Sequence, residues 1–344
     1  MDLRRSNLAQ WAAETLTQET GFSVTPELTM VSGDASFRRY FRIHHGDYHW
    51  IAVDAPPDQE DSERFVRIAE HWYKHGVRVP RIIAFDAFHG YLLLEDFGDQ
   101  WLWSALHAES EFSGVEALYQ RAIEQLLPIQ QLSGMALPQY DAGLLQQEMA
   151  LFRDWLCVQQ LGMTLSDEEQ VLLQEAFDAL TANALSQAQV VVHRDYHSRN
   201  LMVLADQQLG IIDFQDAVLG PATYDVVSLL RDCYVRWPDA EVKELAVYYW
   251  QKARTAGIYL ADWDRFQQDF DWMGMQRHLK AAGIFARLSL RDGKDGYLAS
   301  IPNTCRYIAD ISAHYEEFAK LHAWLTTQVL PRVDAMMAEH AVTQ

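Results

Sequence analysis

Residues 190 to 217 read VVVHRDYHSRNLMVLADQQLGIIDFQDA, and they crowd acids, amides and histidines between short apolar runs. Burying charge is costly unless the charge is paired or bound to metal, so folding alone explains this stretch poorly. Asp195 and Asn200 lie five apart in the segment HRDYHSRN, and Asp213 ends the apolar run IID eighteen residues beyond Asp195. Hard oxygen ligands of this kind suit Mg²⁺, which one or two protein groups hold together with substrate phosphates. A further carboxylate beside such a metal can take a proton from an attacking hydroxyl. On this reading Asp195 is the base, and Asn200 and Asp213 are the metal ligands. His193 and Arg194 brace the loop. His197 and Arg199 face either substrate or solvent.

Two textures of sequence must position these groups. Residues 28 to 95 are strand-like, in runs such as LTMVSG, SFRRYFRIHH, YHWIAVDAPP, RIIAFDA and GYLLLEDFGD. Between the third and fourth runs, Phe65, Ile68, Ala69, Trp72 and Tyr73 recur at helical spacing, and Gly76 suits the helix end. From about residue 100 the period is near 3.6. Helices are expected over 114–132, 144–162, 166–185, 221–236, 239–256, 262–290 and, with breaks, 299–341. Ser166 with Glu169 forms a capping-box pattern.

The catalytic-loop Asp, the later Asn and the strand-end Asp are the parts of a protein-kinase-type phosphotransferase. With GPATYDVVSLLRD after them, they resemble the aminoglycoside phosphotransferase family, kinases of small molecules related to protein kinases. That resemblance implies an α+β, protein-kinase-like two-lobed fold. A small antiparallel-sheet lobe with an N-terminal helix and one inserted helix spans 1–97, and a helical lobe spans 98–344. It implies ATP and Mg²⁺ as cofactors, and by position it makes Asp225 a structural brace of the catalytic loop. SGDASFRRYFRI, AVDAPP and QRHLKAAGIFARL narrow the resemblance. They look like the bacterial kinases that phosphorylate the anomeric hydroxyl of N-acetylmuramate and N-acetylglucosamine in cell-wall recycling. The implied product is a sugar 1-phosphate.

The phosphate-covering loop is expected in SGDASFRR, where Ser32, Gly33, Ser36 and the backbone between them supply N–H groups. It carries one glycine rather than three. The strand that usually bears a Lys reads WIAVDAPP and has none, so Arg38 or Arg39 is expected to substitute. The carboxylate partner is open between Glu63 and Glu70. The main chain around Leu94, Glu95 and Asp96 is the expected adenine hinge. Substrate contacts are sought in 263–297, which carries Trp263, Trp272, Arg277, His278, Lys280 and Arg287. Arg277 and Lys280 are the candidates there, because a cation can meet the lactyl carboxylate of muramate. A kinase of another small alcohol or an aminoglycoside remains an alternative. So does an inactive pseudokinase scaffold, for which the missing Lys speaks.

The rest of the sequence limits the partners. The 344 residues are 49% hydrophobic and 22% charged, enough apolar material for a large ordered core. A net charge of -20 suits solubility and disfavours nucleic acid and anionic membranes as partners, while a small-molecule sugar partner is what the resemblance implies. Three scattered cysteines without a CxxC fit a reducing compartment. With no signal peptide evident in the first residues, a cytoplasmic location is expected. Oligomeric state leaves no mark on the sequence.

Overall fold

The computed structural model describes residues 2–33, 37–109 and 111–343. The chain forms two units, Met1–Ala108 with Arg199–Asp216, and Glu109–Ser198 with Ala217–Gln344.

The first unit is built on a five-stranded antiparallel sheet. Its strands are β1 (Thr29–Gly33), β2 (Arg39–His45), β3 (Tyr48–Asp54), β4 (Ile82–Asp86) and β5 (Tyr91–Glu95), in the order β1-β2-β3-β5-β4. Alternation on β2 buries Phe41 and Ile43, and helix α1 (Leu3–Thr20) covers that side with Leu8, Ala12 and Leu16. The inserted helix α2 (Ser62–Lys74) starts at Asp61, whose side chain accepts the Arg64 N–H. Gly76 follows its end at φ 82°, the left-handed conformation that closes helices.

The first unit extends beyond the expected boundary at residue 97. Helix α3 (Leu102–Ala108) and a hairpin of Leu201–Val203 with Leu209–Ile211 belong to it. The physical reason is backbone pairing: the Val203 N–H donates to the Gln100 carbonyl and the Ile211 N–H to the Arg78 carbonyl.

The second unit is helical: α4 (Phe112–Gln130), α5 (Ala142–Leu151), α6 (Asp167–Ser186), α7 (Tyr224–Leu230), α8 (Asp239–Thr255), α9 (Trp263–Asp292), α10 (Ile301–Ser312), α11 (Ala319–Trp324) and α12 (Leu330–Thr343). A π-helical segment, Phe152–Gln160, continues α5. Both bonds of the Ser166–Glu169 capping box are present. Most of α9 is buried, so it is the central helix of this unit. Gly283 lets it approach closely, because a Cβ there would lie 2.3 Å from the Leu151 carbonyl carbon.

The helix expected over 221–236 is shorter. Residues 218–221 pair with strand Gln189–Val192, and α7 stops at Leu230. Beyond it the Asp232 carboxylate accepts N–H bonds from Ser198 and Tyr234, which holds the chain in a turn. Among the described residues no helix is long and apolar enough to cross a membrane.

Candidate active site

In the helical unit the expected catalytic loop leaves strand Gln189–Val192 and is held by a carboxylate. Asp225, in the first turn of α7, accepts the His193 N–H at 2.7 Å and the Arg194 N–H at 3.0 Å. Burial pushes the Asp225 pKa up to about 7, against the pull of those two bonds. Arg194 has φ 77°, a conformation uncommon outside glycine, so the loop is bent sharply where Asp225 grips it. His193 is buried, and its Nδ1 accepts the Asp195 N–H at 3.3 Å. At the far end of the loop the Ser198 N–H and Oγ donate to Asp232 at 3.0 and 2.5 Å. Asp195 is therefore carried on a segment tied at both ends. Asp232 was not singled out by sequence; its signal was an acid just past a buried helix.

Beside this loop lies a buried charge cluster. Glu148 of α5 accepts from the Arg194 guanidinium and from the Tyr140 hydroxyl. Lys280 Nζ of α9 sits 3.3 Å from Glu148 Oε1 and donates to the Tyr224 hydroxyl at 3.0 Å. Glu148, Arg194 and Lys280 are all largely buried. Leu145, Glu148, Met149 and Phe152 share one buried face of the α5 helix and its continuation. An acid on an apolar stripe was thus the legible signal for a buried cationic partner.

These cations set the state of Asp195. Burial pushes its carboxyl pKa up, but the charges of Lys280, His197, Arg194 and Arg277 together outweigh burial and hold it below the ordinary aspartate value. Asp195 is therefore ionised, as a proton acceptor must be. Lys280→Met removes the largest of the opposing charges, so the Asp195 pKa rises. The acid limb of kcat/KM then moves to higher pH, which a pH–rate profile measures. An unmoved limb would dissociate Lys280 from the carboxylate.

In the sheet unit, the expected metal ligands are neighbours. Asn200 Nδ2 donates to Asp213 Oδ2 at 3.2 Å, and Gln215 Nε2 donates to Asp213 Oδ1 at 2.7 Å. Asp213 has φ 65°, which aspartate tolerates better than most residues. Its position is fixed from both sides: the Ile212 N–H donates to the Asn200 carbonyl, and the Phe214 ring packs on Phe65 at 4.9 Å and Trp72 at 5.6 Å. One carboxylate and one amide fit Mg²⁺, which demands few protein ligands when phosphates complete its shell. Among the described residues no group of three or more His, Cys, Asp or Glu forms an all-protein metal site. Gln215 was missed by sequence reading, since an amide two residues beyond an acid carries no distinctive spacing. Arg199 lies in this unit with its guanidinium 5.4 Å from the Trp103 ring centroid.

The nucleotide-binding expectations fare unevenly. Ser32 and Gly33 end β1 and pair with Tyr40 and Arg39, while Ser36 lies outside the described residues. On β3 the residue at the end of the run IAVD is Asp54, fully buried, and it accepts from both Arg39 and Arg4. Arg39 also bonds Asp2. Arg38 is buried and pairs with Glu60 at 3.1 Å, its guanidinium 5.5 Å from the Phe65 ring centroid. The carboxylate partner of Arg38 is thus Glu60, before α2, and neither Glu63 nor Glu70. Those two line a surface groove of about 530 Å³ with Arg67, His71, Lys74 and Phe85.

The main chain expected as the adenine hinge begins within the sheet. β5 lies inside the sheet, and Leu94 is in register with both Ile51 and Ile82. The Glu95 N–H donates to the Arg81 carbonyl, and its carboxylate holds Arg78. Asp96 bonds Arg42 through its side chain, and the β3–β5 pairing ends one residue earlier, at Glu95.

A sheet unit carrying a paired buried arginine and an Asn–Asp set, with a helical unit carrying an ionised aspartate on a braced loop, defines a protein-kinase-like phosphotransferase. The chain belongs to the phosphotransferase enzyme family APH, which it matches over residues 27–268, and it is a small-molecule kinase. It is similar to the N-acetylmuramate/N-acetylglucosamine kinase of Pseudomonas aeruginosa, at 43% identity over 86% of each chain. It is 40% identical to the kinase of the same name from Pseudomonas putida, over 93% of this chain and 95% of that one. In fold it is similar to the choline kinase LicA from Streptococcus pneumoniae, with a TM-score of 0.62, 10% identity, and coverage of 88% of this chain and 99% of that one.

Proposed function

We propose that the protein transfers the γ-phosphoryl group of ATP to the anomeric hydroxyl of N-acetylmuramate or N-acetylglucosamine, giving the sugar 1-phosphate, as a step in peptidoglycan recycling. The observation that carries this reading is the 43% identity, over 86% of the chain, to a kinase named for those two sugars. The field around Asp195 supports it. The charges of Lys280, Arg194 and Arg277 act on the carboxylate, and Arg277, unlike the other two, has no acidic partner at ion-pair distance among the described residues, which suits a neutral or anionic acceptor better than a cationic aminoglycoside or choline.

In this reading Asp195 orients the anomeric hydroxyl and takes its proton as the new O–P bond forms and the bond from the γ-phosphorus to the bridging oxygen breaks. Asn200 and Asp213 would hold Mg²⁺, which when bound neutralises phosphate charge. Arg38, fixed by Glu60, and Arg39, fixed by Asp54, are the cations offered to the nucleotide in place of a strand Lys. Ser32 and Gly33 would supply main-chain N–H groups to the phosphates, and the adenine edge would meet main chain around Leu94, Glu95 and Asp96. Residues 1–97 and 98–344 remain the functional halves proposed for nucleotide and sugar, with α3 and the 201–211 hairpin added to the first.

The test is ATP turnover with N-acetylmuramate, N-acetylglucosamine, choline and an aminoglycoside, with the product examined by phosphorus NMR. An anomeric sugar phosphate is expected. Phosphorylation of choline or the aminoglycoside alone would favour another acceptor class. Nucleotide binding without turnover of any acceptor would favour the scaffold reading.

A further inference from the structure

Arg277 lies in the middle of α9 and is only 6% exposed, a costly place for a guanidinium. The other buried cations around the loop have acceptors: Arg194 and Lys280 share Glu148, and Arg231 bonds Asp271. Arg277 is different. Among the described residues its one hydrogen-bond contact is Nη1 to Cys233 Sγ at 3.6 Å, and its Nε is buried with no partner. A thiol is a weak acceptor, so the guanidinium keeps most of its hydrogen-bonding capacity.

Its location is fixed by neighbours already tied to the catalytic loop. Cys233 follows Asp232, and Asp232 holds Ser198, three residues beyond Asp195. The Arg277 guanidinium is in the electrostatic field of the Asp232 and Asp195 carboxylates, with neither at ion-pair distance among the described residues. The adjacent His278 supplies no competing charge: its ring stacks on Tyr307 at 4.6 Å, its Nε2 meets the Arg231 carbonyl at 2.9 Å, and burial pushes its pKa down to about 3.

We infer that Arg277 is the specificity residue for an acidic acceptor, its guanidinium receiving the carboxylate that N-acetylmuramate carries and N-acetylglucosamine lacks. The inference rests on the amino-sugar reading above. A planar guanidinium matches a carboxylate bidentately, and the partner it lacks in the protein is the one an acidic sugar brings. Discrimination by a hydrogen-bonding group is strong because the buried group stays unpaired when the substrate lacks its mate.

The experiment compares kcat/KM for the two sugars in the wild type, Arg277→Gln and Arg277→Lys. Arg277→Gln is expected to lose about 30- to 100-fold on N-acetylmuramate and at least tenfold less on N-acetylglucosamine. The loss should fall mainly in KM, and Arg277→Lys should recover part of it. Thermal melting and ADP binding confirm that the variants fold. Equal losses on both sugars, or none on either, would overturn the inference while leaving the kinase reading intact. A wild type inactive on both sugars would overturn the amino-sugar reading and this inference with it. If Arg277→Gln does not fold, Arg277→Lys decides, since the point charge it keeps cannot reproduce a bidentate contact: a muramate-selective loss supports the inference and an unchanged ratio refutes it.

Discussion

Asp195→Asn is expected to lower kcat by about 10²- to 10⁴-fold, the range a positioned general base supplies. The side chain keeps its size, and the loop stays tied by Asp225 at one end and Asp232 at the other. Nucleotide affinity, which the proposal assigns to the other unit, should change little. The amide cannot titrate, so the acid limb of kcat/KM that reports the wild-type carboxylate should also disappear. Steady-state kinetics with the confirmed acceptor, nucleotide titration and a pH profile check the three parts. Ordinary turnover in the variant would remove Asp195 from its role as base.

The second large effect concerns stability. Glu148→Gln leaves Arg194 and Lys280 buried side by side without their shared counter-charge. Removing one partner of a buried ionic set typically costs about 3–5 kcal/mol, because the remaining charge is uncompensated. Since two cations share this acid, the upper part of that range is expected, read as a fall in melting temperature of roughly 6 °C or more. Lys280→Met in the Glu148→Gln background should restore part of the loss, because it removes one of the two stranded charges.

The same group predicts a pH trend. Burial pushes the Glu148 pKa up, but Lys280, Arg194 and Tyr140 more than offset it and leave it below the ordinary glutamate value. A lowered folded-state pKa adds stability above the unfolded-state value, and that stability is lost as pH falls through the folded-state value. Acid melting of the wild type should show this loss, and the Gln variant should lack it. A Gln variant as stable as the wild type would mean that the cluster contributes no net stability.

What the sequence by itself determined was local. Strand alternation and helical period placed most elements to within a few residues, the helix expected over 221–236 excepted, because each element's pattern reports its own buried face: Phe41 and Ile43 on β2, Phe65, Ile68 and Trp72 on α2. The capping box at Ser166 and the helix end at Gly76 were legible for the same reason, since caps use neighbours in the chain. Asp195, Asn200 and Asp213 stood out because their spacing is itself local, a loop followed by a hairpin.

The tertiary structure decided every pairing across distance. Glu60 rather than Glu63 or Glu70 meets Arg38, and Asp54 gathers Arg39 and Arg4, because strand order and the entry to α2 set which charges share a site. Leu94 has a neighbouring strand on each side because β5 is an inner strand of the sheet, which no local pattern announces. The Glu148–Lys280 contact spans more than a hundred residues and depends on how closely α9 packs against the end of α5, where Gly283 leaves room. Periodicity says which face of a helix is buried. It does not say which other helix that face will meet, and for ionised side chains the partner decides both the cost of burial and the chemistry.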